Sequence, residues 1–147
     1  MSVEENKALV RHMIEDVVNE RHLDLIGEVF STSFRAGGKV LGLEPIGPAV
    51  EHHHAEFSGF RLSIKEMVAE GDRVVFHGAV SGTHSGEVAV GGISVSATGK
   101  SAEWSVFGLY TVEGGRIVEE IALGDDLGLL KQLGVVPAPG PSASAGV

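Results

Sequence analysis

The chain has 147 residues, 43% of them hydrophobic, which supplies enough apolar mass for one core and too little for two. Its formal net charge of -9, from 11 Lys and Arg against 20 Asp and Glu, offers no positive field for phosphates, so we expect no nucleic-acid partner. The absence of cysteine excludes disulfides and thiolate sites, and the lack of a signal sequence or of a roughly 20-residue apolar run predicts a cytoplasmic protein without membrane contact.

The N-terminal segment predicts an amphipathic helix over residues 3–20. Ser2 and Glu5 have the spacing of a capping box, and apolar residues recur behind them at helical intervals. Met13 belongs to this apolar stripe, so we expect it to face the interior. A shorter helix should follow from Leu23 and end near the Ser-Thr-Ser stretch at residues 31–33.

Residues 34–48 are rich in glycine and contain two prolines, and we interpret them as a short strand or loop that forms a rim or lid. A third helix is predicted over residues 49–57, with Phe57 and either His53 or His54 on its inward stripe. Adjacent histidines on a helix point about 100° apart, whereas zinc needs ligands on one face, so we expect no metal site. The inward histidine could act as a donor or base near neutral pH.

Beyond residue 60 the hydrophobic period becomes that of strands. Two hairpins are predicted, with strands at residues 60–69, 73–81, 103–112 and 116–123. The continuous apolar run of the third strand predicts that both of its faces are covered. Residues 82–92 are rich in glycine and form a loop or irregular edge. Asp125 and Asp126 begin a short helix, and the tail from residue 135 is expected to be flexible.

These elements predict an α+β fold for a single domain over residues 1–134, followed by a flexible tail over residues 135–147. Three N-terminal helices would pack on a strongly bent, mostly antiparallel sheet, with a short C-terminal helix beside it. Such a cone-shaped barrel has an interior. Ligand sites favour apolar interiors that carry a few polar groups.

The last strand carries the adjacent carboxylates Glu119 and Glu120. Alternation sends one to each face of the sheet, so only one can enter the cone. By parity Glu120 shares its face with Ala122, whereas Glu119 shares its face with Ile117. An edge charge beside a basic residue is the more common role for either.

Three further residues are candidates for the interior. Trp104 and Tyr110 share a parity and could form an aromatic wall with a phenolic donor, although core packing is the more common role of such residues. Asp125 is either a general base at the mouth of the pocket or the cap of the last helix.

Four stretches together resemble the SnoaL-like polyketide cyclases, a family with the nuclear transport factor 2 fold. They read NKALVRHMIEDVVNERHLDLIGEVF, GDRVVF with GTHSGE, ATGKSAEW, and GRIVEEIALGDDLGLLKQLG. The resemblance extends over residues 6–137 and is most specific at residues 115–120 and 130–134. It implies a cone, usually a homodimer across the outer face of the sheet, no cofactor, and a hydrophobic polyketide-type intermediate as the substrate.

The chain departs from the family pattern at its catalytic positions. Aldol-type members carry an acid–base aspartate on the last strand and a histidine on the strand before it, and the resemblance places Ala122 and Gly108 there. Loss of a proton-transfer group costs typically about 10²- to 10⁴-fold in rate. Either Glu120, Asp125 or His54 has taken the role, or the reaction needs no base.

An enlarged pocket at Gly108 and Ala122 would suit a ring closure that depends on substrate folding, such as an intramolecular (4+2) cycloaddition. Its rate would change little between about pH 6 and 9. The predicted substrate-binding residues are Met13, His53, Phe57, Trp104, Gly108, Tyr110 and Ala122. The alternatives are an acid–base aldol cyclase or epoxide hydrolase that uses Glu120, Asp125 or His54, and a non-catalytic protein that binds a small molecule.

Overall fold

The computed structural model describes residues 1–136. Its helices are α1 (Val3–His12), continued by a π-helical segment (Met13–Asn19), a 3₁₀ turn (Leu23–Leu25) that leads into α2 (Ile26–Val29), α3 (Ile46–Glu56) and α4 (Asp126–Gln132). Its strands are β1 (Phe30–Ala36), β2 (Lys39–Val40), β3 (Phe57–Glu70), β4 (Arg73–His84), β5 (Val88–Val90), β6 (Ile93–Val95), β7 (Ser101–Glu113) and β8 (Arg116–Gly124). Most of the predicted tail lies outside the described residues.

Six strands form one sheet in the order β2-β1-β8-β7-β4-β3, and β5 pairs with β6 as a separate hairpin. Neighbouring strands are antiparallel except β1 and β8, which are parallel. The sheet is not closed. Its longest strand, β3, shifts register twice against β4, and such bulges bend a strand. The predicted α+β cone with a mostly antiparallel sheet is confirmed.

The N-terminal helix begins as its sequence predicts. The Ser2 hydroxyl accepts a hydrogen bond from the Glu5 amide at 3.1 Å, and the Glu5 carboxylate accepts one from the Ser2 amide at 3.4 Å. Val10, Ile14 and Val17 are fully buried, and α1 and the π segment pack against the sheet. The main core therefore lies between these helices and the inner face of the sheet.

Asn19, the last residue of the π segment, joins that segment to the sheet through its side chain. The Asn19 amide nitrogen donates to the Leu62 carbonyl at 2.9 Å, and its oxygen accepts from the Leu62 amide at 2.8 Å. Leu62 lies on β3 in a stretch between two register shifts. Asn19 thus satisfies both backbone groups of one strand residue and fixes the helix against it.

Three boundaries differ from the sequence prediction. The second helix ends at Val29, because Phe30 and Phe34 begin a strand that buries both rings beside β8. The third helix begins at Ile46, and Phe57 is the first residue of β3 rather than the last of that helix. β4 continues to His84, into the segment that we interpreted as a loop.

The prediction that β7 is covered on both faces is wrong for the described chain. Phe107 on its outer face remains 53% exposed, and Ile121 on β8 remains 49% exposed. The helices supply only one layer, so a single copy leaves this face open to solvent. No helix within residues 1–136 has the length and hydropathy needed to cross a bilayer.

Candidate active site

A cavity of about 540 Å³ lies between the helices and the inner face of the sheet. Its volume falls within the range of about 300–1,000 Å³ that is typical of small-molecule sites. Most of its lining is aliphatic or aromatic. The lining residues with an ionisable or phenolic side chain are His53, Tyr110, Glu120 and Asp126. Within residues 1–136 no group of three or more His, Asp or Glu side chains is arranged to hold a metal ion.

Six of the ten candidate site residues predicted from the sequence line the cavity. Those that line it are Met13, His53, Trp104, Tyr110, Glu120 and Ala122. Those that lie outside its lining are His54, Phe57, Gly108 and Asp125. The second group is occupied by hydrogen bonds or by packing, as described below.

Glu120 faces the cavity from β8, while its neighbour Glu119 lies on the other face beside Arg35, with 3.5 Å between carboxylate and guanidinium. A bulge in β8 shifts its register against β7, so that Ile117 belongs to the main core and does not share a face with Glu119 as strict alternation predicts. Burial raises the pKa of Glu120 above its ordinary value of 4.5, and a hydrogen bond with Tyr110 offsets part of that rise.

Tyr110 lies directly opposite Glu120 on β7. It is buried, and burial together with the neighbouring carboxylate raises its pKa well above 10. The phenol therefore keeps its proton and can donate a hydrogen bond to the neighbouring carboxyl group. Phe76 stacks against its ring at a centroid distance of 6.0 Å.

The missing side chain at Gly108 does not enlarge the cavity as predicted, and Gly108 is not among the lining residues. A Cβ at this position would lie 2.5 Å from Phe76 Cε1 and 2.7 Å from Tyr110 Cε2. The two rings therefore fill the space that a side chain would need. Ala122, opposite Gly108 on β8, does line the cavity.

His53 faces the cavity from α3 and is held on two sides. Its ring stacks on Phe60 with 5.3 Å between centroids and 9° between planes. Its Nδ1 lies 3.7 Å from Oε1 of Glu56, a buried carboxylate whose Oε2 lies 3.5 Å from His52. The His53 side chain is 51% exposed, and the burial of its remainder lowers its pKa from the ordinary value of 6.5, an effect that Glu56 partly offsets. The imidazole is therefore mainly neutral at pH 7.

His54 lies beside the cavity but does not line it. Its Nε2 donates to the Val18 carbonyl at 2.8 Å, an acceptor on the π segment. One of its two ring nitrogens is thus engaged in joining α3 to the π segment. The structure assigns His54 a packing position, and His53 is the inward residue of the triplet.

Asp125 caps α4: its carboxylate accepts from the Gly128 amide at 2.9 Å. Its neighbour Asp126 lines the mouth of the cavity instead. Phe57 is buried in a second core cluster, where its ring contacts Trp104 at 4.9 Å and His84 at 5.4 Å. It contacts Trp104 from within this second cluster and is not among the residues that line the cavity.

Glu56 was not identified from the sequence as part of the site. It follows His52 by four residues and His53 by three, which is the spacing of neighbours on one helical face. That spacing is a signal that the sequence contains. The burial of Glu56, which makes its contacts with the two histidines informative, depends on packing against distant elements and cannot be read from the spacing.

Comparisons with known proteins agree with this architecture. The model of the SnoaL-like polyketide cyclase family matches residues 8–133. The fold is similar to TsrD from Streptomyces laurentii, with a TM-score of 0.80 and 22% identity over 92% of this chain and 99% of that chain. It is similar to AclR, a proposed hydroxylase from Streptomyces galilaeus, with a TM-score of 0.77 and 26% identity over 95% and 87% of the two chains.

A SnoaL-like polyketide cyclase from Agrobacterium tumefaciens also shares the fold, with a TM-score of 0.77 and 16% identity over 90% of this chain and 99% of that one. Among curated proteins none matches the chain in sequence. The structural neighbours establish the cone fold, and the family match extends over most of the sequence. The chain therefore belongs to the SnoaL-like polyketide cyclase family.

Proposed function

We propose that this protein closes a ring in an apolar polyketide-type intermediate by an intramolecular (4+2) cycloaddition. In this proposal Glu120, in its neutral form, donates a hydrogen bond to a carbonyl of the substrate. One observation carries the proposal: the carboxyl group that faces the apolar cavity has its pKa raised by burial, which favours the protonated form.

The apolar cavity would supply most of the rate enhancement. A flexible linear substrate must bring a diene and an alkene together before they react, and holding reacting groups in place can be equivalent to about 10⁵ M or more. A lining that is mostly aliphatic and aromatic binds such a chain by excluding water from it. Trp104 and Phe60 on the sheet side offer flat surfaces against which a folded polyene can pack.

The reaction is balanced without a proton carrier. Two carbon–carbon σ bonds form from three π bonds, one new π bond remains, and no atom enters or leaves. A hydrogen bond to a carbonyl conjugated with the alkene withdraws electron density and speeds the addition. Loss of one preorganised donor of this kind costs about 10²- to 10³-fold in rate.

Tyr110 makes Glu120 a better donor in this arrangement. The phenol keeps its proton beside the carboxyl group, and a hydrogen bond from it to the carboxyl oxygen would leave the carboxyl proton for the substrate. An aldol cyclase would instead need Glu120 ionised as a base, which burial disfavours. The proposed step also requires no cofactor.

Single-turnover kinetics would test the proposal with a linear substrate that carries a conjugated diene and an unsaturated ketone. Glu120→Gln keeps a donor but cannot transfer a proton, and we expect its rate to stay within about tenfold of wild type. Glu120→Leu lacks the donor and should lose about 10²- to 10³-fold. Glu119→Gln, on the outer face, is the matched control.

Two results would contradict the proposal. If wild-type protein retains the linear compound unchanged at stoichiometric amounts, it is a binding protein and not an enzyme. If Glu120→Gln loses about 10²- to 10⁴-fold, Glu120 is a proton-transfer group and the reaction is of the acid–base type.

A further inference from the structure

The pair His53 and Glu56 on α3 takes no part in the ring closure proposed above. Glu56 is only 8% exposed, yet its carboxylate reaches no cation of the lysine or arginine type among the described residues. Its oxygens face two imidazoles, His52 at 3.5 Å and His53 at 3.7 Å. A buried carboxylate needs polar partners, so its placement is tied to these rings.

The imidazole of His53 is half exposed, and two contacts favour one orientation of it. Stacking on Phe60 fixes the ring plane, and Glu56 attracts the proton to Nδ1. In the neutral ring, a proton on Nδ1 leaves Nε2 as an acceptor. Within residues 1–136 no protein group donates a hydrogen bond to Nε2, and His53 lines the cavity.

We propose that Nε2 of His53, oriented by Glu56, accepts a hydrogen bond from a hydroxyl or enol group of the bound substrate. The substrate is then an apolar chain with a hydroxyl group directed to α3 and a carbonyl group directed to Glu120 on β8. This inference rests on the proposed function for the position of the carbonyl. The position of the substrate hydroxyl is inferred only from His53 and Glu56 on α3.

The two polar ends of the cavity are well separated. His53 stacks on a residue of β3, whereas Glu120 lies on β8, and the strands β4 and β7 lie between them. Three strand spacings correspond to about 14 Å along the sheet, and its bend shortens the direct path. The hydroxyl and the carbonyl should therefore lie many bonds apart on the substrate.

Two unreactive probes test this placement: 12-hydroxydodecan-2-one and dodecan-2-one. Both are apolar ketones, and only the first carries a hydroxyl group at the far end. Their dissociation constants can be measured from the fluorescence of Trp104, the single tryptophan, which lines the cavity. The quantity of interest is the change in the ratio of the two constants between wild type and each variant, because the cost of removing the hydroxyl from water cancels in this comparison.

We expect His53→Phe to shift this ratio by about tenfold against the hydroxy ketone, since the variant keeps an aromatic stack but loses the acceptor. Glu56→Gln should shift the ratio of the two dissociation constants in the same direction by a smaller factor. His52→Phe is the matched control, because His52 contacts the same carboxylate but does not line the cavity, and its ratio should equal that of wild type. An unchanged ratio in folded His53→Phe would overturn the inference.

Nitrogen NMR of the wild-type protein gives a second test that does not depend on a variant. We expect the Nδ1–H tautomer of His53, with an Nε2 signal that moves on addition of the hydroxy ketone and stays in place with the plain ketone. A protonated Nε2, or equal shifts with both probes, would contradict the inference. Neither probe can cyclise, so a failure of ring closure leaves this result unaffected, and equal probe binding leaves the proposed cycloaddition unaffected.

Discussion

At the scale of single residues, two polar groups of the site, those of Tyr110 and Glu120, occupy one rung of the β7–β8 ladder. Gly108 lies opposite Ala122, and Tyr110 lies opposite Glu120 on the next inward rung. The resemblance to aldol-type cyclases implies an acid–base pair at the first of these rungs. In this chain the first rung lacks polar side chains. The second carries a phenol and a buried carboxyl group, so the polar side chains lie one inward rung away from the position that the resemblance implies.

Gly108→Ala should destabilise the protein, because its Cβ would collide with Phe76 and Tyr110. Overpacking of this kind costs typically about 1–3 kcal/mol in the free energy of unfolding. Gly27→Ala is the control, since no atom lies within 4 Å of its added Cβ. Chemical denaturation of both variants measures the difference. If Gly108→Ala and wild type had equal free energies of unfolding, the rings of Phe76 and Tyr110 would move aside without loss of stability, which would contradict this prediction.

Glu120 makes the stability of the protein depend on pH. Since its pKa is raised in the folded state, its contribution to stability is fully present below about pH 4.5 and is lost as pH rises through the folded pKa. The amide in Glu120→Gln does not titrate, so the variant should gain stability relative to wild type as pH rises. Thermal unfolding across pH 4 to 9 measures this. If Glu120→Gln instead lost stability relative to wild type as pH rises, burial would not raise the pKa of Glu120.

At this scale the sequence predicts side-chain direction only as far as strand geometry is regular. Alternation correctly separated Glu119 from Glu120, because β8 is regular over those positions. It misplaced Ile117, because one extra residue in a bulge reverses the parity and leaves no clear mark in the sequence. It also treated Gly108 as open space, since the filling of that space by two neighbouring rings depends on packing.

At the scale of elements, the cavity depends on how the first helix meets β3. Met13 and Val18 on the π segment line the cavity, as does Leu62 on β3, and Asn19 bonds to both backbone groups of Leu62. Capping and apolar spacing predicted the helix. They did not predict its π turn, because a π turn is rare and the apolar spacing of this segment fits an ordinary α-helix.

Asn19→Ala should lower the free energy of unfolding by about 1–3 kcal/mol, because it leaves a partly buried amide and carbonyl of Leu62 without partners. Glu15→Ala on the same helix removes only an exposed ion pair with Arg11 and should cost less than about 1 kcal/mol. Urea denaturation compares the two. Similar losses in both variants would indicate that Asn19 does not hold the helix to the strand.

At the scale of the whole molecule, the open outer face of the sheet needs a partner. Phe107 is 53% exposed there, stacked on His77 at 4.7 Å, and Ile121 is 49% exposed. We propose that a second copy of the chain covers this face, as the family resemblance implies. The overall plan of helices over a bent sheet was predictable from the change of hydrophobic period, whereas the uncovered face was not, because β7 has apolar residues on both parities.

Light scattering should then give a mass twice that of the chain. Phe107→Glu would place a charge in the interface and should yield a monomer, whereas Val40→Glu, at an exposed position on β2, should leave the dimer intact. A wild-type monomer at high concentration, or an unchanged dimer in Phe107→Glu, would exclude this interface.

The pH dependence of the single-turnover rate tests the central claim, that a neutral Glu120 assists ring closure in an apolar cavity. Wild type should react fastest at low pH, with a rate that falls as pH rises through the pKa of Glu120, while Glu120→Gln should show no dependence on pH. A wild-type rate that increases with pH and is lost in Glu120→Gln would show that Glu120 acts as a base, and the cycloaddition account would be wrong.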